Sequence, residues 1–357
     1  MPTCVSQGPS LLAAGTFYSA SLKQYDGSVW TWGENADGQL GDGTNTQRIY
    51  PVPVPGLSHV ISIAGGRSHT VALQQGGTVL AWGYNGYGQL GDGTTTSRRY
   101  FPAEVSSLNG ITAIAAGYNH SVALHQDGTV WTWGHNGYGQ LGDGTTTLRR
   151  SPVQVPGLTG IIAIDADHYY TVALREDGTV WAWGNNEGQL GDGSTIDSHW
   201  PVQVPGIGGV AAISAGYHYI LALHHDGTVS SWGRNEHGQL GDGTKTHRFW
   251  PAQVLGLNGI TAINAGAYHA VALRQDGTVW TWGYNSNGQL GDGTRTNRSS
   301  PFQVPELGGI AAIAAGLQHT VALIEDGAVW SWGYNAYGQL GDGTRTQSHS
   351  PGRVLDF

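Results

Sequence analysis

The stretch "GYGQLGDG" at residues 86–93 decides the fold, because its second part, "GQLGDG", occurs seven times along the chain. Each copy begins with a glycine that recurs after 49 to 51 residues: Gly38, Gly88, Gly139, Gly188, Gly238, Gly288 and Gly338. A fixed period of this size is typical of solenoids, propellers and other repeat architectures. The 357 residues therefore divide into seven similar units.

The same stretch also spells the Gly-x-Gly-x-x-Gly fingerprint of dinucleotide-binding folds at residues 86–91. That fingerprint must leave a strand and open a helix within a βαβ unit. The following residues, "TTTSRRYFP" at 94–102, are instead typical of a strand and end in proline. We therefore interpret these glycines as positions of positive φ in a connection between strands, and we expect Asp92 to accept hydrogen bonds from nearby backbone amides.

One complete unit, read at residues 110–158, contains four short strand-like runs: "ITAIAAG", "HSVALH", "TVWTWG" and "SPVQV". Asp127-Gly128 lies between the second and third runs and is typical of a two-residue hairpin turn. No segment has the periodicity and caps of a helix. Four strands repeated seven times predict an all-β, seven-bladed β-propeller with four-stranded antiparallel blades of about 50 residues each.

We predict one domain over residues 1–357, with repeats at approximately 10–57, 58–108, 109–158, 159–207, 208–257, 258–307 and 308–357. The chain starts on a first-strand run at 11–15 and stops after a fourth-strand run at 351–355. It thus contains seven whole blades with no shared closing blade, unless residues 3–9 add a strand to the last one.

The runs also predict where each strand lies in its blade. The first run is rich in alanine and glycine, as expected near the axis, where seven sheets converge. The third run carries Trp131 and Trp133 two residues apart, so both indoles lie on one face of the strand. We expect these large rings, and their counterparts in other copies, to fill the gaps between splayed blades.

Composition excludes several classes of protein. Fourteen Trp and sixteen Tyr argue against a disordered glycine-rich chain, and a net charge of −9 argues against binding to nucleic acid or acidic membranes. A single cysteine, Cys4, excludes an intramolecular disulfide and a cysteine-rich metal site. We expect no signal peptide, membrane span or cofactor, and a monomer that resides in the cytoplasm or is secreted after loss of a leader.

Taken together, "AAGxxHSVAL", "DGTVWTWG" and "GQLGDG" resemble the repeats of the regulator of chromosome condensation family over residues 10–355. The resemblance implies seven-bladed propellers whose members include an exchange factor for a small GTPase, a UV-B photoreceptor and a β-lactamase inhibitor. Spacings of 49–51 residues leave no room for the exchange factor's inserted wedge, and "GRSHT" at 66–70 lacks the photoreceptor's tryptophan. The inhibitor, a bare propeller that binds through aromatic loops, is the nearest analogy.

Variable positions concentrate in two sets of loops that an up-and-down blade places on one face. Tyrosine, histidine and arginine are frequent there, and loops on a rigid scaffold are where binding residues concentrate. The candidate partner-binding residues are Phe17, Arg67, Tyr84, Tyr87, Tyr118, His135, Tyr138, His168, Tyr169, Tyr217, His218, Arg234, His237, Tyr268, Tyr284, Tyr334 and Tyr337.

Three further sets of polar residues have two interpretations each. Asp165, Asp167, Ser214 and Asn264 form a polar arc at the channel, either as solvated lining or as a pocket for a small ligand or cation. Residues closing the first loop alternate between Tyr and His, which fits a repeated structural hydrogen bond better than a metal site. Ten Lys and Arg follow the Gly-Asp-Gly turns, either to steer an acidic partner or to balance the turn aspartates.

The sequence contains no catalytic constellation, so we expect no enzyme. The favoured hypothesis is a protein-recognition module that binds its partner through the aromatic loops. The alternatives are guanine-nucleotide exchange on a small GTPase, and binding of a small ligand or glycan at the loop face or in the channel.

Overall fold

The computed structural model describes residues 10–355 and 357 as seven four-stranded antiparallel sheets. Each sheet consists of four strands consecutive in sequence, and the described residues contain no helix. The predicted all-β, seven-bladed propeller is therefore confirmed. No helix in this part of the chain is long and apolar enough to cross a membrane.

Blades 1 to 3 contain strands β1 to β12, with these bounds: β1 Leu12–Ala14, β2 Tyr18–Lys23, β3 Ser28–Gly33, β4 Arg48–Pro53; β5 Val60–Gly65, β6 His69–Gln74, β7 Val79–Tyr84, β8 Arg98–Glu104; β9 Ile111–Ala116, β10 His120–His125, β11 Val130–Gly134, β12 Arg149–Gln154.

Blades 4 to 7 contain strands β13 to β28, with these bounds: β13 Ile161–Asp167, β14 Tyr170–Arg175, β15 Val180–Gly184, β16 Ser198–Gln203; β17 Val210–Gly216, β18 Tyr219–His224, β19 Val229–Gly233, β20 Arg248–Gln253; β21 Ile260–Ala265, β22 His269–Arg274, β23 Val279–Gly283, β24 Arg298–Gln303; β25 Ile310–Ala315, β26 His319–Ile324, β27 Val329–Gly333, β28 Ser348–Arg353.

The first strand of each blade lies at the axis. Strand β1 is flanked by β5 on one side and by β25 on the other, so blade 7 packs directly against blade 1. No described residue crosses from one end of the chain into the sheet of the other end. The additional strand that residues 3–9 could supply lies outside the described residues.

The hydrophobic core lies between blades. Trp82 of blade 2 is fully buried and packs with Leu22 and Val54 of blade 1 and with Ile63 of its own blade. The equivalent indole is fully buried in all seven blades. The other tryptophan of the third run, which is Trp131 in blade 3 and is present in five blades, is half-buried. The prediction that indoles fill the gaps between blades is confirmed.

The "GQLGDG" motif joins successive blades by hydrogen bonds. The carbonyl of Gln39 in blade 1 accepts hydrogen bonds from Trp82 Nε1 at 2.9 Å and from Thr70 Oγ1 at 2.8 Å in blade 2. Gly41 permits the approach, because it has a φ of +70° and a Cβ there would lie 2.6 Å from Trp82 Nε1. Trp32 of blade 1 donates to Gln339 of blade 7 at 2.8 Å, so the ring closes with the same bond.

The turn aspartates behave as predicted from the sequence. Asp92 Oδ1 accepts a 2.9 Å hydrogen bond from the amide of Thr94, and Asp42 does the same with Thr44 at 3.0 Å. These turns therefore stabilise a long connection between strands, and no helix follows the glycines that would bind a phosphate.

Candidate functional site

The loop face is the surface formed by the connections between first and second strands together with those between third and fourth strands. The two sets meet across blades: the Phe17 ring of the first set lies 4.8 Å from the Tyr337 ring of the second. The sequence prediction placed both sets on one face, and this contact brings them together.

Twelve of the candidate residues form one continuous network of ring contacts across blades 2 to 6, which we call the aromatic crescent. Neighbouring centroids are 4.1 to 6.2 Å apart. For example, Tyr138 stacks on Tyr169 at 5.0 Å, and His168 lies 4.2 Å from Tyr217. The members are Tyr84, Tyr87, Tyr118, His135, Tyr138, His168, Tyr169, Tyr217, His218, His237, Tyr268 and Tyr284.

Three candidates lie apart from the crescent. Phe17 contacts Tyr334 at 5.8 Å and Tyr337 at 4.8 Å, where blade 7 meets blade 1. The ring contacts do not link this triplet to the crescent among the described residues. The aromatic surface is thus divided into a large and a small part.

The crescent is accessible from solvent but not uniformly so. Tyr87 and Tyr138 are 37% and 38% exposed, and most of the other rings are half-buried. His218 is only 3% exposed, beneath Tyr217 and His168. The ring of His218 supports the surface from below because its neighbours' rings cover it, and its role as a contact residue stays a prediction.

The histidines of the crescent are neutral at physiological pH. Burial lowers the pKa of His168 to about 3 and that of His218 to about 4. Burial also lowers the pKa of His135 and His237. The crescent therefore presents uncharged aromatic rings.

Two arginines place positive charge beside these rings. The Arg67 guanidinium lies 4.7 Å from the centroid of Tyr118, in a cation–π contact. Arg234 of blade 5 forms an ion pair with Glu187 of blade 4, and a second, at 3.5 Å, with Glu236. Arg234 is neutralised by these carboxylates, whereas Arg67 is held by an aromatic ring.

The polar arc forms hydrogen bonds between blades at the channel wall. Asp165 Oδ2 accepts from the Ala215 amide at 2.9 Å and from the Ser214 hydroxyl at 3.2 Å. Ser214 Oγ accepts from the Ala265 amide at 3.0 Å, and Asn264 Oδ1 accepts from the next blade's amide at 2.8 Å. Each of these three side chains thus binds the first strand of the following blade.

Asp167 differs from the other members of the arc. Its carboxylate accepts a hydrogen bond from the amide of the next residue, His168. Among the described residues it forms no hydrogen bond to the following blade. Burial raises the pKa of Asp167 to about 7 and that of Asp165 to about 6. Asp165 further raises the pKa of Asp167 by charge repulsion.

The residues that close the first loop form structural hydrogen bonds. His69 Nε2 lies 3.0 Å from Ser121 Oγ of the next blade, and Tyr18 donates its hydroxyl proton to the His69 carbonyl at 2.6 Å. His120, His269 and His319 make equivalent contacts with a Thr or Ser of the following blade. Over residues 10–355 and 357, no group of His, Cys, Asp and Glu could hold a metal ion.

The arginines after the turns are paired with the turn aspartates. Five of the ten bind the aspartate of their own blade at 2.5 to 2.7 Å, namely Arg48, Arg99, Arg149, Arg248 and Arg298. Burial raises the pKa of the Asp143 carboxyl, but bonds from Thr145 and Arg149 outweigh it and leave the pKa below its usual range. Balance of the aspartates is thus the interpretation that these contacts favour.

Sequence reasoning missed a set of aromatic residues on the outer circumference. Trp200 and Trp250 are 52% and 53% exposed, and each lies in a fourth strand one residue before a proline. Phe101 and Tyr50 occupy the same position in their blades and are also exposed. Blades 3, 6 and 7 carry Ser at this position, at Ser151, Ser300 and Ser350. The sequence did contain a sign of these exposed residues, because the position before the proline is a large aromatic residue in four blades and serine in three.

Comparison with known proteins identifies similar chains. A family model described as an RCC1-like domain matches residues 5–258, and the regulator of chromosome condensation (RCC1) repeat matches residues 276–323 and 326–357. The ultraviolet-B receptor UVR8 of Arabidopsis thaliana is 33% identical over 138 residues, which cover 38% of this chain and 31% of the receptor. Protein RCC2 of Homo sapiens is 32% identical over 33% of this chain and 23% of its own. The matches thus span less than a third of these relatives.

Solved structures are similar over most of the chain. Prp20p from Saccharomyces cerevisiae has a TM-score of 0.83 and 26% identity, covering 92% of this chain and 86% of its own. Human WBSCR16 has a TM-score of 0.79 and 27% identity, covering 90% and 88%.

Proposed function

Because the chain belongs to the RCC1-like domain family, we propose that it is a recognition module rather than an enzyme and that it binds a partner protein through the aromatic crescent. The observation that carries the proposal is the continuous network of twelve rings on loops above a rigid ring of blades. The structure of Prp20p is described with its binding properties to Gsp1p and histones, which supports a protein partner.

The physical properties of the crescent suit protein recognition. Tyrosine supplies a large contact area with few rotatable bonds, so little conformational entropy is lost on binding. The rings also contact each other, which holds them in place before a partner arrives. The histidines are neutral, and five of the ten Lys and Arg that follow the turns are paired with turn aspartates, so aromatic contact contributes more to this surface than positive charge does.

A second candidate is binding of a small GTPase, the partner that the family resemblance implies. The likeness to Prp20p, whose stated partners include Gsp1p, favours this candidate. It would use the same loop face, and its distinct sign is faster release of a fluorescent GDP analogue from a small GTPase when this protein is added.

Affinity capture with two matched triple variants tests the proposal. The first, Tyr138→Ala/Tyr169→Ala/Tyr217→Ala, removes the centre of the crescent. The second, Phe101→Ser/Trp200→Ser/Trp250→Ser, removes three exposed aromatic rings from the outer circumference and installs the residue found there in other blades.

We expect the wild type and the circumference variant to capture the same partner and the crescent variant to lose it, with circular dichroism confirming that all three are folded. A partner retained by the crescent variant and lost by the circumference variant would overturn the proposal.

A further inference from the structure

Two rings of the aromatic crescent line the central channel, and the channel wall also carries two carboxylates. The channel has a volume of about 760 Å³, and its lining includes Tyr118 and Tyr217 of the crescent together with Asp165 and Asp167. Aromatic rings and negative charge thus meet in one concave site.

Asp167 is a departure of blade 4 from the repeat. The other six copies have glycine at this position: Gly15, Gly66, Gly117, Gly216, Gly266 and Gly316. A side chain is therefore not needed there for a blade to fold. In the described residues no Lys, Arg or His forms an ion pair with Asp167 or with Asp165, so no described cationic side chain pairs with these two carboxylates.

The electrostatic field of Asp167 reaches the surrounding rings. Its charge contributes to the raised pKa of Tyr217 and Tyr268 in the crescent and of the buried Tyr170 and Tyr219 beneath it. These hydroxyls are uncharged at neutral pH and cannot balance a carboxylate. At a pH above the pKa of Asp167, which is about 7, the face of the crescent that borders this carboxylate is therefore negative as well as aromatic.

The crescent already holds one cation on a ring. The Arg67 guanidinium lies over Tyr118 at the channel lining, although Arg67 makes no ion pair in the described residues. The quadrupole of a tyrosine face attracts such cations, and the attraction increases where water is excluded.

We propose that the protein segment bound by the crescent places a lysine or arginine side chain in the channel mouth, against Tyr217 and paired with Asp167. This inference rests on the proposed function and adds the chemistry of the partner's central residue. The charge of that residue is complementary to the two carboxylates, and the rings accept its apolar stem and its cationic head.

The pair would also relieve the cost of a poorly solvated carboxylate. A positive charge beside Asp167 stabilises its ionised form, which burial and Asp165 disfavour. The groups that face Asp167 are Asp165, His168, Tyr170, Tyr217, Tyr219 and Tyr268. Of these only Asp165 shares its titration range, so binding is stronger at pH 8 than at pH 6.

The test compares two small probes of the same shape, N-acetyl-arginine methylamide and its neutral counterpart N-acetyl-citrulline methylamide, by NMR titration at pH 8. We expect the wild type to bind the arginine probe about tenfold more tightly than the citrulline probe. Asp167→Asn keeps an oxygen to accept the His168 amide and should abolish this preference. Equal affinity of the two probes for the wild type, or undetectable binding of both, overturns the inference.

Asp177→Asn is the matched control, because it removes one charge from the same blade at an Asp-Gly turn on the opposite face. It should leave the preference unchanged; equal losses in both variants would show an effect of net charge and overturn the inference. Binding of the captured partner to the crescent variant and to Asp167→Asn distinguishes the proposed function from the cation inference. If the crescent variant loses it and Asp167→Asn binds it unchanged, the proposed function stands and the cation inference falls.

Discussion

The seven glutamine carbonyls that join the blades are not equally satisfied. Gln289 O accepts from Trp332 Nε1 at 2.9 Å and from Thr320 Oγ1 at 2.8 Å. Gln239 O accepts from Trp282 Nε1 at 2.9 Å, but the position equivalent to Thr320 is Ala270, which has no hydroxyl. Among the described residues, Gln239 O therefore depends on a single donor.

This difference predicts that Trp282→Phe destabilises the protein more than Trp332→Phe. Both indoles are fully buried, so the two changes remove the same volume, the same apolar area and one N–H donor. Only Trp282→Phe leaves a buried carbonyl without a partner, which costs about 1–3 kcal/mol. We expect the free energies of unfolding of the two variants to differ by that amount.

The assay is guanidinium unfolding followed by far-UV circular dichroism, with the free energy of unfolding taken from the midpoint and slope. Adding Ala270→Thr to Trp282→Phe installs the hydroxyl that sister blades use, and it should recover about 1 kcal/mol or more. Added to the wild type, where Trp282 already donates, the same change should have a smaller effect.

Equal destabilisation by the two phenylalanine variants would refute the reasoning, because the second donor at Gln289 would then contribute nothing. A double variant no more stable than Trp282→Phe alone would refute it independently. Either result would mean that packing of the indole, rather than satisfaction of the carbonyl, determines the strength of a blade junction.

Two further predictions concern pH. Burial lowers the pKa of His269 from an ordinary value of 6.5 to about 3, so its contribution to stability is lost as pH falls below 6.5. Three other blades have tyrosine at this position. We expect His269→Tyr to reduce the slope of the unfolding free energy against pH by about 1.4 kcal/mol per pH unit in that range. Burial raises the pKa of Asp167 from 3.8 to about 7, so the wild type loses stability as pH rises through that interval. Asp167→Gly should therefore be more stable than the wild type at pH 8, and this gain should fall toward pH 4. Chemical unfolding at both pH values measures the difference in unfolding free energy between the two proteins. The same difference at both pH values would contradict the raised pKa.

The fold could be predicted almost entirely from the sequence, because each element depends on local signals that recur seven times. The Asp127-Gly128 turn, the strand runs around it and the 49–51 residue period predict four-stranded blades before any long-range contact is known. Repetition also defines which positions are free to vary, and this placed the crescent's residues on one face.

What the sequence could not provide was the environment of each variable residue, since that depends on the neighbouring blade. His218 reads like an exposed loop residue, yet the rings of His168 and Tyr217 cover it. Trp200 drew no prediction from the sequence, and it lies half-exposed on the outer circumference because the fourth strand has solvent on its outer side. The arginines after the turns left two interpretations open until their distances to the turn aspartates were known.

The sequence by itself thus determined the number of blades, the strand order within each and the set of variable loops, because hairpin turns and strand periodicity act over a few residues. Only the tertiary structure decided which of those loop residues are accessible, which carboxylates lack a counter-charge and which carbonyls have one donor. Burial, electrostatic interaction and hydrogen-bond satisfaction are properties of atoms on adjacent blades, about 50 residues apart in the chain.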